Sequence, residues 1–167
     1  MSVVKRAKES SIAQKARLDD LFVRAAKEAD KGNFRSAFRL FLAAAKAGDT
    51  SCQINLGNFY DAGKGVRRDP AAAMYWYKRA YRRGEASAAH NIGVMYRNEE
   101  KHTRAVQWFR KSVRLGNSES NLDIAKYFLD VLHDRAKAIP YLKKIRRSKW
   151  VTEAGFEEAK LLLRRAR

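Results

Sequence analysis

The residues able to do acid–base, nucleophilic or metal chemistry are few and scattered. His90, His102 and His133 stand far apart, and no spacing among them resembles a metal site. The single cysteine, Cys52, falls within an apolar helical stripe, where a thiol reads as a small buried residue rather than a nucleophile. One cysteine also leaves no intrachain disulfide framework. The neighbouring carboxylates Glu99-Glu100 and Glu157-Glu158 occupy positions expected to be exposed, and read as solubility or capping charges. There is no G-x-S-x-G, no P-loop and no dinucleotide-binding glycine motif. The expectation is a non-enzymatic chain with no cofactor, no metal and no small-molecule substrate.

Charge is the chemistry that remains. Lys and Arg number 36 against 18 Asp and Glu, a net charge of +18. Such an excess points to an acidic partner: nucleic acid, an acidic protein surface or anionic lipid. With 46% hydrophobic residues and only two prolines, the chain reads as folded and helical rather than disordered. No run is long and apolar enough to span a membrane. Met1–Gln14 carries charges but no apolar core, so it does not read as a secretory signal. The expected compartment is reducing and cytoplasmic.

The elements that would position these charges are organised around Leu56–Ala80. Leu56, Phe59 and Tyr60 recur at helical spacing around Gly57, whose missing side chain admits a neighbouring helix. Ala62-Gly63-Lys64-Gly65 ends that helix, because glycine tolerates the left-handed C-terminal conformation. Asp69-Pro70 opens a second helix as N-cap and first residue. Its apolar stripe is Ala73, Met74, Trp76, Tyr77 and Ala80, and Gly84 stops it. The pattern recurs. Ser51, Asn55, Gly57 and Tyr60 match Ser87, Asn91, Gly93 and Tyr96; Ala73, Trp76, Tyr77 and Gly84 match Ala105, Trp108, Phe109 and Gly116. A further copy begins at Ser118, with Ala125 and Phe128 followed by Ala138, Tyr141 and Leu142. A degenerate one upstream has Ala37, Leu40, Phe41 and Gly48. Small and aromatic residues in helix pairs at a period of about 34 residues are the signature of an α-solenoid.

The residues Gly63, Gly65, Val66, Asp69, Ala73, Trp76 and Tyr77, in the order G-x-G-V-x-x-D-x-x-x-A-x-x-W-Y, resemble the Sel-one-like repeat, a relative of the tetratricopeptide repeat. The resemblance implies an all-α fold, a right-handed α-solenoid of antiparallel helix pairs that serves as a protein-binding scaffold without enzymatic activity. The organisation expected is a flexible basic N-terminus over residues 1–10 and one solenoid domain over residues 11–167. Its repeats fall at about 12–48, 50–84, 86–116 and 118–148, with a capping helix over 152–167. Ser11 and Gln14 fit a capping box that would start the first helix. Pro140 would kink the last repeat's second helix near Ala136–Ala138.

On this frame the basic residues fall into columns of equivalent positions. Lys46, Arg82, Arg114 and Arg147 make one, Arg79, Lys111 and Lys144 a second, and Lys78, Arg110 and Lys143 a third. All lie in the last turns of second helices, so stacking predicts a basic ladder able to meet successive phosphates or carboxylates. Cations in a last turn also complement the helix dipole, so a merely solvated face is the competing reading. Trp76, Tyr77, Trp108, Phe109 and Tyr141 match buried family positions and read as core rather than base-stacking platforms. Trp150, among Arg146, Arg147 and Lys149, covers the solenoid end or anchors a partner. By resemblance, the first helices line a concave groove. Its candidate residues are Gln53, Asn58 and Asp61, then His90, Val94 and Arg97, then Asp123, Lys126 and Tyr127, suited to a peptide or a protein helix. Asn55 and Asn91 could instead be structural, bonding backbone across a repeat junction. The function expected is an adaptor for an acidic protein or peptide. The alternatives are a nucleic-acid-associated protein held by the ladder, and an inhibitor or immunity protein for an acidic bacterial effector.

Overall fold

Hydrophobic stripes at helical spacing produce nine α-helices and one π-helical turn, with no strand, among the residues described by the computed structural model, 3–146 and 151–165. The chain divides into two compact units, Met1–Arg83 and Gly84–Arg167.

The first unit holds α1 (Val3–Asp30), α2 (Phe34–Lys46), α3 (Thr50–Ala62) and α4 (Pro70–Tyr81). α1 already runs from Val3, so Ser11 and Gln14 lie inside it rather than at its start. Nothing between Val3 and Gln14 breaks a helix, and its Lys, Arg, Ala and Glu residues favour one, so the capping-box pattern is overridden. Asp49 caps α3 by accepting the Cys52 N–H at 2.6 Å, and Gly63, at φ 68°, ends it in the left-handed conformation. Asp69 accepts the Ala72 N–H at 2.9 Å, with Pro70 at the first helical position. Gly65 has a second reason to be glycine: a Cβ there would lie 2.4 Å from the Phe34 backbone, so the loop can close on α2 only without a side chain. The core is a train of edge-to-face rings, Phe22 on Phe41 at 6.1 Å and Phe41 on Phe59 at 5.4 Å, with Ala25, Leu56 and Trp76 packed in.

The second unit holds α5 (Ala86–Asn98), α6 (His102–Arg114), α7 (Ser120–Lys126), the π turn Tyr127–Val131, α8 (Arg135–Arg146) and α9 (Glu153–Arg165). Its core joins Val106, Phe109, Ile124, Phe128, Leu142 and Ile145 to Leu162 and Leu163 of α9. α7 does not continue as one α-helix through Phe128. The Leu132 N–H reaches back to the Tyr127 carbonyl at 3.2 Å, five residues away, and the chain leaves through His133 at φ 52°. α8 passes through Pro140 without a break. Ala136 and Pro140 are both exposed, so water can serve the carbonyl that proline leaves without a donor.

In both units a glycine of the first helix seats an aromatic ring of the second. A Cβ on Gly57 would lie 2.4 Å from Cε1 of Tyr77, and one on Gly93 would lie 2.6 Å from Cε1 of Phe109. Both rings are almost fully buried. In the α1–α2 and α7–α8 pairs the first-helix position is Ala25 or Ala125 instead, each buried.

Candidate functional site

α5, α6 and α7 meet through a buried chain of hydroxyls. The Ser112 hydroxyl donates to the Ala86 carbonyl at 2.8 Å, and the Ser120 hydroxyl donates to Ser112 Oγ at 3.0 Å. Ser120 has then spent its only proton, so the 3.0 Å contact with His90 requires Nδ1–H of the imidazole to donate. His90 thus carries its proton on Nδ1. Burial holds its pKa below the usual histidine value, against the pull of Asp123, with Arg97 adding to the lowering and Glu119 opposing it. The ring is therefore neutral at pH 7. Asp123 lies 3.6 Å from His90 and 2.6 Å from the Arg97 guanidinium. Lys126 reaches Glu158 of α9 at 2.6 Å. Glu119 accepts the Thr152 N–H at 2.9 Å, just before α9 begins, and those bonds lower its pKa.

These groups border two clefts. One, of about 180 Å³, has Ala105, Val106 and Phe109 as its apolar floor and Arg97, Lys126 and Tyr127 on its walls. The other, of about 270 Å³, lies between His90, Glu119, Asp123 and Glu158. The second unit thus brings five groove candidates together: His90, Arg97, Asp123, Lys126 and Tyr127. Val94 is half-buried against the core instead. In the first unit the groove reading fails at Gln53. That side chain is buried, and its amide donates to the Ala45 carbonyl at 3.1 Å, a second donor beside the Gly48 N–H at the end of α2. Asn58 accepts the Tyr77 hydroxyl of α4 at 2.7 Å, and Asp61 holds Arg68 of the intervening loop through its backbone carbonyl at 2.8 Å, so both tie α3 to the rest of its own hairpin. Asn55 does not cross a junction; it bonds the Ser51 carbonyl of its own helix at 3.0 Å. Ser112, Ser120, Glu119 and Glu158 are not among the site candidates read from the sequence. Ser112 did carry a signal, a hydroxyl in the column where the preceding copy has Ala80.

The second helices present a different chemistry. Lys46, Lys78, Arg82, Arg110, Arg114, Lys143 and Lys144 are exposed, and none of them makes an ion pair among the described residues. The middle column is seated on aromatic rings: Arg79 over Trp76 at 5.4 Å, Lys111 over Trp108 at 3.8 Å and Lys144 over Tyr141 at 5.3 Å. Within the second unit Arg110 of α6 also donates to the Tyr141 hydroxyl of α8 at 3.4 Å. Trp76, Tyr77 and Phe109 are buried as core residues, while Trp108 and Tyr141 are half-buried beneath their cations. Arg147 and Trp150 lie outside the described residues. Among the described residues no three His, Cys, Asp or Glu side chains are grouped to hold a metal ion, and no helix is long and apolar enough to cross a membrane.

Comparison with known proteins gives this helix-pair architecture a family. The Sel1 repeat model matches residues 24–49, 50–85 and 86–117, more than half of the chain. The chain belongs to the Sel1 repeat family. It is 33% identical over 85 residues to the putative sel1-like repeat-containing protein L21 of Acanthamoeba polyphaga mimivirus, covering 51% of this chain and 16% of that protein. It therefore spans only a small part of that relative's length. Among solved structures it is similar to a Sel1 repeat protein from Oxalobacter formigenes, with 25% identity, a TM-score of 0.61, and 77% of this chain and 54% of that one covered. It also shares its fold with c5321, a protective antigen of uropathogenic Escherichia coli, with 19% identity, a TM-score of 0.70, and 92% and 34% covered. The all-α repeat solenoid is thus the fold class, and Sel1 repeat proteins generally mediate protein–protein interaction on a scaffold that is typically non-enzymatic.

Proposed function

We propose that this Sel1 repeat chain is a non-enzymatic adaptor that binds an acidic protein or peptide through the outer turns of its second helices. One observation carries the reading. Arg97 and Lys126, beside the clefts, are neutralised by Asp123 and Glu158, whereas Arg110, Arg114, Lys143 and Lys144 on α6 and α8 have no carboxylate partner among the described residues. These four cations therefore cost self-repulsion and gain only a modest dipole term, about 0.3–1 kcal/mol per cation. An acidic partner turns that repulsion into attraction and speeds encounter. An inhibitor of an acidic effector would use the same surface with one tight partner, and no feature of the chain singles it out.

The test is a charge-reversed variant, Arg110→Glu with Arg114→Glu and Lys143→Glu, measured against polyglutamate peptide and mixed-sequence RNA and DNA at about 150 mM salt. Unchanged helicity with loss of peptide binding supports the adaptor. Micromolar nucleic-acid binding at that salt, without peptide binding, replaces it with a phosphate-binding protein. Peptide binding that survives the reversal shows that the face is only solvated.

A further inference from the structure

The column of cations over rings becomes a more specific arrangement at α8. Tyr141 stacks on the buried ring of Phe128, with centroids 5.7 Å apart and planes 20° from parallel, so its hydroxyl is held in place. Lys144, one turn on, lies 5.3 Å from the same ring, and Arg110 arrives from α6 to bond the hydroxyl at 3.4 Å. The two cations are thus brought to one phenol by two helices. Neither makes an ion pair among the described residues.

We infer that Arg110, Tyr141 and Lys144 form a seat for a single carboxylate of an acidic segment on a partner protein. This rests on the adaptor reading and names the point where that partner is gripped. Three pieces of chemistry support it. Arg110 uses one of its five N–H donors on a neutral oxygen, in a long bond that a carboxylate can displace or share, since a carboxylate brings a full opposite charge and can accept two guanidinium N–H groups at once. The phenol accepts from Arg110 and keeps its own O–H to donate. Lys144 supplies a second positive charge whose ammonium already lies over the ring, so less side-chain freedom is lost on binding. A carboxylate placed there meets a guanidinium, a hydroxyl and an ammonium together.

The experiment titrates the full chain into a fluorescein-labelled polyglutamate peptide at about 150 mM salt and follows anisotropy. Tyr141→Phe keeps the ring, its stack on Phe128 and the net charge, and removes only the hydroxyl. It is expected to weaken binding about tenfold, the value of one hydrogen bond to a charged group. Arg110→Gln should weaken it more than Arg82→Gln, which removes the same charge from the other unit and should cost no more than about threefold. Circular dichroism checks that all variants fold. If Tyr141→Phe binds as tightly as the wild type and Arg110→Gln does no worse than Arg82→Gln, the seat is overturned and the adaptor reading stands. If the wild-type chain does not bind polyglutamate, both fall.

Discussion

Gly57→Ala adds one methyl group where α3 seats the Tyr77 ring of α4. The new carbon would stand 2.4 Å from Cε1 and 2.6 Å from Cδ1 of Tyr77. Ordinary contact begins about 1 Å further out, so the ring or the helix must move by that much. Tyr77 cannot swing freely, because it is buried and its hydroxyl is bonded to Asn58 at 2.7 Å. Overpacking of this kind costs about 1–3 kcal/mol. Straining or losing the Tyr77–Asn58 bond adds about 1 kcal/mol. Alanine's better helix propensity returns about 1 kcal/mol. The net expectation is a loss of about 1–3 kcal/mol. Gly93→Ala makes the matching clash with Phe109 at 2.6 Å, but Phe109 has no hydroxyl to hold it, so its cost should be smaller by about 1 kcal/mol. Urea unfolding followed by circular dichroism measures both. Tyr77→Leu should rescue Gly57→Ala in a double-mutant cycle, since the pair Ala125 and Leu142 already occupies these positions in α7 and α8. A Gly57→Ala variant as stable as the wild type would refute the reasoning, because the ring would then have room the geometry denies it.

Asp69→Ala should cost about 1 kcal/mol of stability in the same assay, and Asp69→Asn should recover most of it, because both Asp and Asn can accept the Ala72 N–H. Stability should also fall with acid through His90. Its folded pKa lies below the unfolded value of about 6.5, so on acidification the unfolded chain takes up the proton first. Its contribution is complete above about pH 6.5 and is lost progressively as the pH drops toward the folded value, a slope that His90→Gln should flatten. Glu119 and Asp134 have pKa values lowered by hydrogen bonds from Thr152 and Lys137, so they act in a separate window, below about pH 4.5.

The repeat frame was readable because its determinants are local. Asp69-Pro70 starts a helix, Gly63 ends one, and the Gly57 and Gly93 stripes announce close packing, all through backbone rules that need no tertiary information. Gln53 misled for the opposite reason. Its polar side chain suggests an open face, but its amide turns inside to donate to the Ala45 carbonyl at the end of α2, which also accepts the Gly48 N–H. The Ser112–Ser120–His90 chain was illegible because it depends on three helices meeting, and hydroxyls have no periodic signature. The π turn at Tyr127–Val131 likewise has no sequence mark that distinguishes it from ordinary helix. The basic columns were visible in the sequence, but the cations paired beside the clefts could be told from those without carboxylate partners only once Asp123 and Glu158 had been placed.

The glycine sockets also bear on how such a chain can grow. A tyrosine cut for a glycine does not suit an alanine, so α4 and α8 are not interchangeable partners for α3. A gene duplication whose break falls within a hairpin would set Tyr77 against Ala125, or Leu142 against Gly57, leaving a collision in one daughter and a void in the other. A break in the turn after α4 copies each socket with its own ring. The matched hairpin is therefore the unit that keeps the Gly57–Tyr77 fit intact when it is copied or moved.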